Sequence, residues 1–119
     1  MKFAKSHEWI KVDGDVGTVG ISDHAQNELT EIVFVELPNV GQNLDAGSPS
    51  CVIESVKSAS DAYSPVSGEV IEVNDNVLDD PSLINSDAEG DGWFFKIKLS
   101  NISELEGLMT KEEYLTSIS

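Results

Sequence analysis

Arginine is absent from this chain of 119 residues, and its seven lysines face 22 carboxylates, for a formal charge of −15. A surface so poor in cations is repelled by phosphate backbones and anionic headgroups, which argues against nucleic acid and membrane surfaces as partners. Cysteine occurs once, as Cys51, so no intrachain disulfide can form. It sits in the apolar run Ser50-Cys51-Val52-Ile53 with no cationic neighbour to favour its thiolate, and reads as a small core hydrophobe. Histidine occurs only at positions 7 and 24. There is neither a Ser-His-Asp arrangement nor a Cys/His ligand cluster, and His7 beside Trp9 reads as packing or capping. No apolar run approaches the roughly 18 residues that cross a bilayer. The segment Met1 to Glu8 lacks both the apolar stretch of a secretory signal and the arginine-rich pattern of a transit peptide. A cytoplasmic location is therefore expected, or the mitochondrial matrix for a processed eukaryotic form.

What is present is an ordinary globular composition, 39% hydrophobic and 24% charged, at a length that fits one domain over residues 1–119. The acidity has two readings: it keeps a small protein soluble, or it steers the chain toward basic patches on partner proteins. The run Asp87-Ala88-Glu89-Gly90-Asp91-Gly92 looks like the start of a calcium loop. Its twelfth position is Lys98, and Phe94-Phe95 reads as strand, so no metal site is expected.

Short strands broken by turn chemistry dominate. Trp9 to Val12 and Val16 to Ile21 flank an Asp-Gly turn at Asp13-Gly14-Asp15. Ile32 to Leu37, Cys51 to Val56 and Gly68 to Val73 are further strands. Trp93 to Leu99 alternates, with Phe95, Ile97 and Leu99 on one face and Lys96 and Lys98 on the other. Ser22 to Leu29 reads as a short helix with a good N-terminal cap. Both Ser103-Glu104-Leu105-Glu106 and Thr110-Lys111-Glu112-Glu113 match the capping box. The second should open a final helix, 111–118, with Tyr114, Leu115 and Ile118 on one face. Even strand spacing with peripheral helices indicates a small antiparallel barrel or sandwich.

The segment Glu54-Ser55-Val56-Lys57-Ser58-Ala59-Ser60-Asp61 places Lys57 after a strand, among small polar residues and between carboxylates. A lysine on a tight turn presents its amine to solvent, and the turn fixes the base of anything attached to it. On spacing alone such a lysine is most often a solvated charge.

That segment, with Val33-Phe34-Val35-Glu36-Leu37-Pro38 before it and Ser64-Pro65-Val66-Ser67-Gly68-Glu69-Val70 after it, resembles the H-protein family of the glycine cleavage system. So do Ser6-His7-Glu8-Trp9, Leu83-Ile84-Asn85-Ser86 and Gly92-Trp93. The similarity runs in order over nearly the whole chain. It implies a mainly β barrel-sandwich hybrid of two antiparallel sheets, with short peripheral helices, a C-terminal helix and the modified lysine on a hairpin turn.

The resemblance also implies the site and its cofactor. Lys57 would carry lipoate in amide linkage, with Glu54, Gly41 and Gly68 matching positions associated with recognition by lipoate-attaching enzymes. The flanking Val56 and Ser58 disfavour biotin, whose acceptor lysine lies between methionines. Val56 also stands where the lipoyl domains of 2-oxoacid dehydrogenases generally carry Asp. A glycine decarboxylase (the P-protein, dependent on pyridoxal phosphate) would load the aminomethyl group of glycine onto a lipoyl sulfur. An aminomethyltransferase (T-protein) would pass the carbon to tetrahydrofolate, and dihydrolipoyl dehydrogenase (L-protein) would restore the disulfide. The chain would be a carrier in this cycle and not an enzyme. Ser6, Glu8 and Asp61 match positions near the loaded arm, and Glu28 stands where some relatives have histidine. A lipoyl relay donating to other enzymes shares Lys57, and an unmodified acidic interaction module is the reading from another class.

Overall fold

The computed structural model describes residues 1–118 and shows ten strands in two antiparallel sheets, four short α-helices and one 3-10 turn. The strands are β1 (Lys2–Phe3), β2 (Glu8–Asp13), β3 (Val16–Ile21), β4 (Ile32–Glu36) and β5 (Asn43–Leu44). They continue with β6 (Pro49–Ser55), β7 (Ala59–Tyr63), β8 (Gly68–Val73), β9 (Phe95–Leu99) and β10 (Met109–Thr110). Seven form one sheet in the order β10-β1-β2-β3-β9-β8-β5, and β4-β6-β7 form the other. Alternation decides which side of each strand meets the core. Ile10, Val19, Phe95 and Ile97 from the larger sheet pack against Val35, Cys51, Ile53 and Ala62 from the smaller one. The expected mainly β architecture of two antiparallel sheets is the one observed.

Local chemistry explains the connections. Asp13 pairs with Val16, so β2 and β3 are joined by the two residues Gly14-Asp15, and Gly14 takes φ +67° as such a turn requires. Helix α1 (Asp23–Leu29) opens on Ser22, whose hydroxyl accepts the amide of Ala25 at 3.1 Å. Helices α2 (Asp75–Asp79) and α3 (Ser82–Asp87) follow the strand at Gly68 to Val73, in a stretch where no helix is expected from the sequence. Asn74 caps α2 through the amide of Asn76, and its Nδ2 donates to the carbonyls of Asp91 and Trp93.

Three local expectations change. Helix α4 (Lys111–Ile118) has the reciprocal capping box: Glu113 N–H donates to Thr110 Oγ1 at 3.2 Å, and Thr110 N–H to Glu113 Oε1 at 2.9 Å. Tyr114 is its buried residue, whereas Leu115 is half exposed and outside the packed face. The other box does not form. Asn101, not Ser103, caps a 3-10 turn at Ile102–Gly107, and Ser103 donates to the Asn101 side chain. Finally, a strand not expected from the sequence, β7, directly after Lys57, is the partner of β6 in its hairpin.

Candidate functional site

Lys57 lies on the β6–β7 turn, between the paired residues Glu54 and Ala59. Ser55 organises that turn. Its amide donates to the Ser58 carbonyl at 2.8 Å, and its hydroxyl oxygen accepts the amides of Lys57 and Ser58 at 3.3 and 3.2 Å. The Val56 amide donates to the Glu31 carbonyl at 3.0 Å, tying the turn to the residue before β4. The backbone amides from Ser55 to Ser58 are thus all bonded, while the Lys57 side chain is exposed. Among the described residues no hydrogen bond or ion pair engages its amine.

Beside this hairpin is a cleft of about 390 Å³. Strand β7 supplies Ser60, Asp61 and Ala62, the turn before β2 supplies Ser6 and His7, and β2 supplies Glu8. Helix α1 closes the other side with His24, Ala25, Glu28 and Leu29. Ile21, Ile53, Ala25 and Leu29 make part of the lining apolar, and Glu8, Glu28 and Asp61 add three carboxylates. Ser6, Glu8, Glu28 and Asp61 are therefore brought together, although they are scattered over 56 positions of sequence.

Glu8 is the most constrained of them. It is almost wholly buried at 2% exposure. Ser6 Oγ donates a short hydrogen bond to Oε1, and the Tyr63 amide donates to Oε2 at 3.2 Å. Glu8 belongs to the larger sheet and Tyr63 to the smaller, so this carboxylate links the two sheets beside the cleft. Burial holds its carboxyl above the usual carboxylate range, outweighing the Ser6 and Tyr63 hydrogen bonds that pull it down.

Both histidines enter the cleft, which their sequence context gave little reason to expect. Their rings lie 5.1 Å apart. His24 Nε2 is 3.7 Å from Glu28 Oε1, one helical turn away on the exposed face of α1. His7 has φ +80°, rare outside glycine, and its Nδ1 lies 2.7 Å from the Tyr114 hydroxyl. That hydroxyl also meets Ser22 Oγ at 2.6 Å, so helix α4 braces the cap of α1 and one wall of the cleft. Partial burial lowers the His7 pKa; neighbouring His24 lowers it further, and Glu28 opposes both. The one sequence signal for this assembly is the i, i+4 spacing of His24 and Glu28.

The recognition candidates fall into two groups. Glu54 is exposed, three residues before Lys57 on the adjoining strand. Gly41 and Gly68 are both attached to β8 in the other sheet, and neither lines the cleft. Gly41 has φ +92°, and its amide donates to the Val70 carbonyl at 2.7 Å. At Gly68 an added Cβ would stand 2.1 Å from the Lys98 carbonyl oxygen. Gly41 thus answers its own backbone conformation, and Gly68 the close approach of β9. Cys51 is buried in the core, and burial pushes its thiol up to about 12.

A family model described as glycine cleavage H-protein matches residues 1–119. The chain is 55% identical over 119 residues to the glycine cleavage system H protein of Alteromonas mediterranea, covering 99% of this chain and 92% of that one. It is 52% identical over 114 residues to the protein of that name from Carboxydothermus hydrogenoformans, covering 96% and 88%. A crystal structure of a glycine cleavage system H protein from Mycobacterium marinum superposes with TM-score 0.90 at 36% identity, over 98% of this chain and 94% of that one.

Proposed function

Because the chain belongs to the glycine cleavage H-protein family, whose members carry a group and do not themselves catalyse, we propose that its carrying residue is Lys57, acylated on Nζ by lipoate. The observation that carries this reading is an exposed, unengaged amine on a turn whose every inner amide is bonded. Acylation needs such an amine. Its nitrogen lone pair attacks the carbonyl carbon of an activated lipoyl group, the C–N bond forms, and the activating group leaves as the nitrogen loses a proton. The rigid turn then fixes one end of the arm.

When attached, lipoate would supply a disulfide ring on a long flexible arm, the chemistry for carrying the one-carbon amine fragment of glycine. The residues around Lys57 fit that cargo. Strand β7 begins two residues after Lys57 and gives Ser60 and Asp61 to the cleft. Its apolar lining suits a hydrocarbon arm, and the carboxylates of Glu8 and Asp61 would hold a cationic amine away from bulk water. Ser6 fixes the orientation of the Glu8 carboxylate through its short hydrogen bond. Glu28, exposed and paired with His24, adds negative charge at the rim.

We assign the decarboxylase, the aminomethyltransferase, dihydrolipoyl dehydrogenase and a lipoate-attaching enzyme as partners. The bacterial relatives support a cytoplasmic setting, and the whole chain is read as one carrier domain. The test is intact and peptide mass spectrometry after coexpression with a lipoate-attaching enzyme, followed by glycine–bicarbonate exchange with purified decarboxylase. A lipoyl increment on Lys57 and exchange that Lys57→Arg abolishes are expected. Arginine keeps the charge but cannot form the amide, so exchange surviving in that variant would sink the assignment. Lipoylation without exchange would favour a relay.

A further inference from the structure

We propose that the outer face of the three-stranded sheet, from Phe34 to the Val56 shoulder of the turn, is the docking surface for the enzyme that acylates Lys57. This rests on the lipoyl reading of Lys57 and names the partner surface which that reading leaves open.

The first observation is a defect in alternation. An edge strand lying over a core should turn every second residue inward. In β4 the register slips between Ile32 and Phe34, a β-bulge that leaves Val33 unpaired. Both Val33 and Phe34 are consequently outside, 51% and 49% exposed, while Ile32 and Val35 are buried. Val56 is 63% exposed on the turn and bonded through its amide to Glu31, the residue just before this strand. The bulge exposes Val33 and Phe34, and the Val56–Glu31 bond sets a third large apolar side chain beside them at the end of the sheet that carries Lys57. No core packing accounts for them.

The second observation is the charge around those side chains. Register aligns Phe34, Glu54 and Ala59 in one row across β4, β6 and β7, and Glu36, Val52 and Asp61 in the next, where Asp61, on the edge strand β7, also borders the cleft. None of these strands contains a cation. Lys57 is the single positive group at the end of a face that carries Glu36, Glu54 and Asp61, with Glu31 beside it. Acylation of Lys57 removes even that charge. An apolar centre bordered by carboxylates calls for a partner with an apolar depression rimmed by lysine or arginine, whose charges also steer encounter.

Reach selects the partner. A lysine amine stands on only a four-carbon stem. An enzyme acting on Nζ must bring its reacting carbonyl to within roughly 3–3.5 Å of that nitrogen. Its own surface must therefore lie against the shoulders of the turn. Enzymes acting on the far sulfur end of the attached arm face no such requirement.

The test uses the full-length apo protein, lipoate, ATP and a lipoate–protein ligase, with acylation of Lys57 followed by mass spectrometry. The variants are Phe34→Ser, Val56→Ser and the pair. Because both side chains are exposed, thermal melts should match the unmodified sequence. We expect the double variant to lose at least tenfold in kcat/KM for acylation, mostly through KM, and Glu54→Gln to flatten the salt dependence. Driven to full acylation by excess ligase, the double variant should support glycine–bicarbonate exchange at the original rate. Acylation of the double variant at the original rate would overturn the docking surface. Equal losses in acylation and exchange would overturn its assignment to the acylating enzyme. Failure of the unsubstituted chain to accept lipoate at Lys57 would instead sink the function on which the inference stands.

Discussion

The hydroxyl of Tyr114 lies 2.7 Å from Nδ1 of His7 and 2.6 Å from Oγ of Ser22, joining the last helix to the wall of the cleft at the opposite end of the chain. The Tyr114 ring is independently held by stacking on Phe3, with centroids 4.4 Å apart and planes 7° from parallel. Tyr114→Phe should therefore keep the packing and lose only the hydrogen bonds. The expected cost is about 1–2 kcal/mol, or a fall of roughly 5 °C in Tm, read by circular dichroism. Amide exchange should quicken at the start of α1. A melt unchanged by the substitution would mean that the brace does not stabilise the fold.

His7 makes that brace sensitive to pH. Burial first, then His24, holds its pKa below the ordinary imidazole value of 6.5. Just below that value the unfolded chain binds more protons than the folded one, so stability rises with pH. The contribution is fully present above pH 6.5 and is lost as pH falls through the folded pKa. His7→Asn suits the positive φ and removes the titration. The Tm advantage of the original protein over the variant should shrink as pH is lowered from about 7.5 to about 5.5. An advantage constant with pH would contradict the assignment.

The strands with β-branched or alternating apolar residues were legible in the sequence because burial on one face leaves a period of two. Phe95, Ile97 and Leu99 are buried as that pattern demands. Strand β7 was hidden for the opposite reason. Ala59-Ser60-Asp61-Ala62-Tyr63 is small and polar, with little intrinsic strand preference, and pairing with β6 alone makes it extended. Helices α2 and α3 were masked by Asn and Asp residues that mark turns and helix caps equally well. At the site, Lys57 and its neighbours were contiguous and readable through family resemblance. The histidine pair and the Glu8–Tyr63 link depend on how the two sheets meet, which no local pattern encodes.

The two glycines should respond differently to the same substitution. Gly68→Ala drives a Cβ to 2.1 Å from a backbone carbonyl that is fixed by the β8–β9 pairing, and relief requires moving β9. A loss of about 2–4 kcal/mol is expected. Gly41→Ala meets no neighbouring atom and pays only for φ +92°, about 1 kcal/mol. Denaturant titration gives both values. With each variant fully folded at low temperature, acylation of Lys57 should proceed at the original rate. A slowed reaction in folded protein would mark the glycine as a recognition element in its own right.

Glu8 and Asp61 provide the sharpest check on the cleft, because they differ in burial while facing the same space. Asp61 is exposed, so Asp61→Asn should leave stability intact and weaken its hold on a cationic amine by about 0.5–1 kcal/mol. Glu8 is buried and already accepts from Ser6 and Tyr63. In Glu8→Gln only one oxygen remains to receive those donors, so the junction between the sheets weakens as well as the charge. The loaded carrier can be followed by ammonia release in the absence of the aminomethyltransferase. Release should quicken a few-fold for Asp61→Asn and roughly tenfold for Glu8→Gln, where a charged, desolvated partner is lost. Salt should reduce the Asp61 effect first, since screening acts on the exposed charge and spares the buried one. If both variants release ammonia as slowly as the original, the carboxylates do not shelter the cargo.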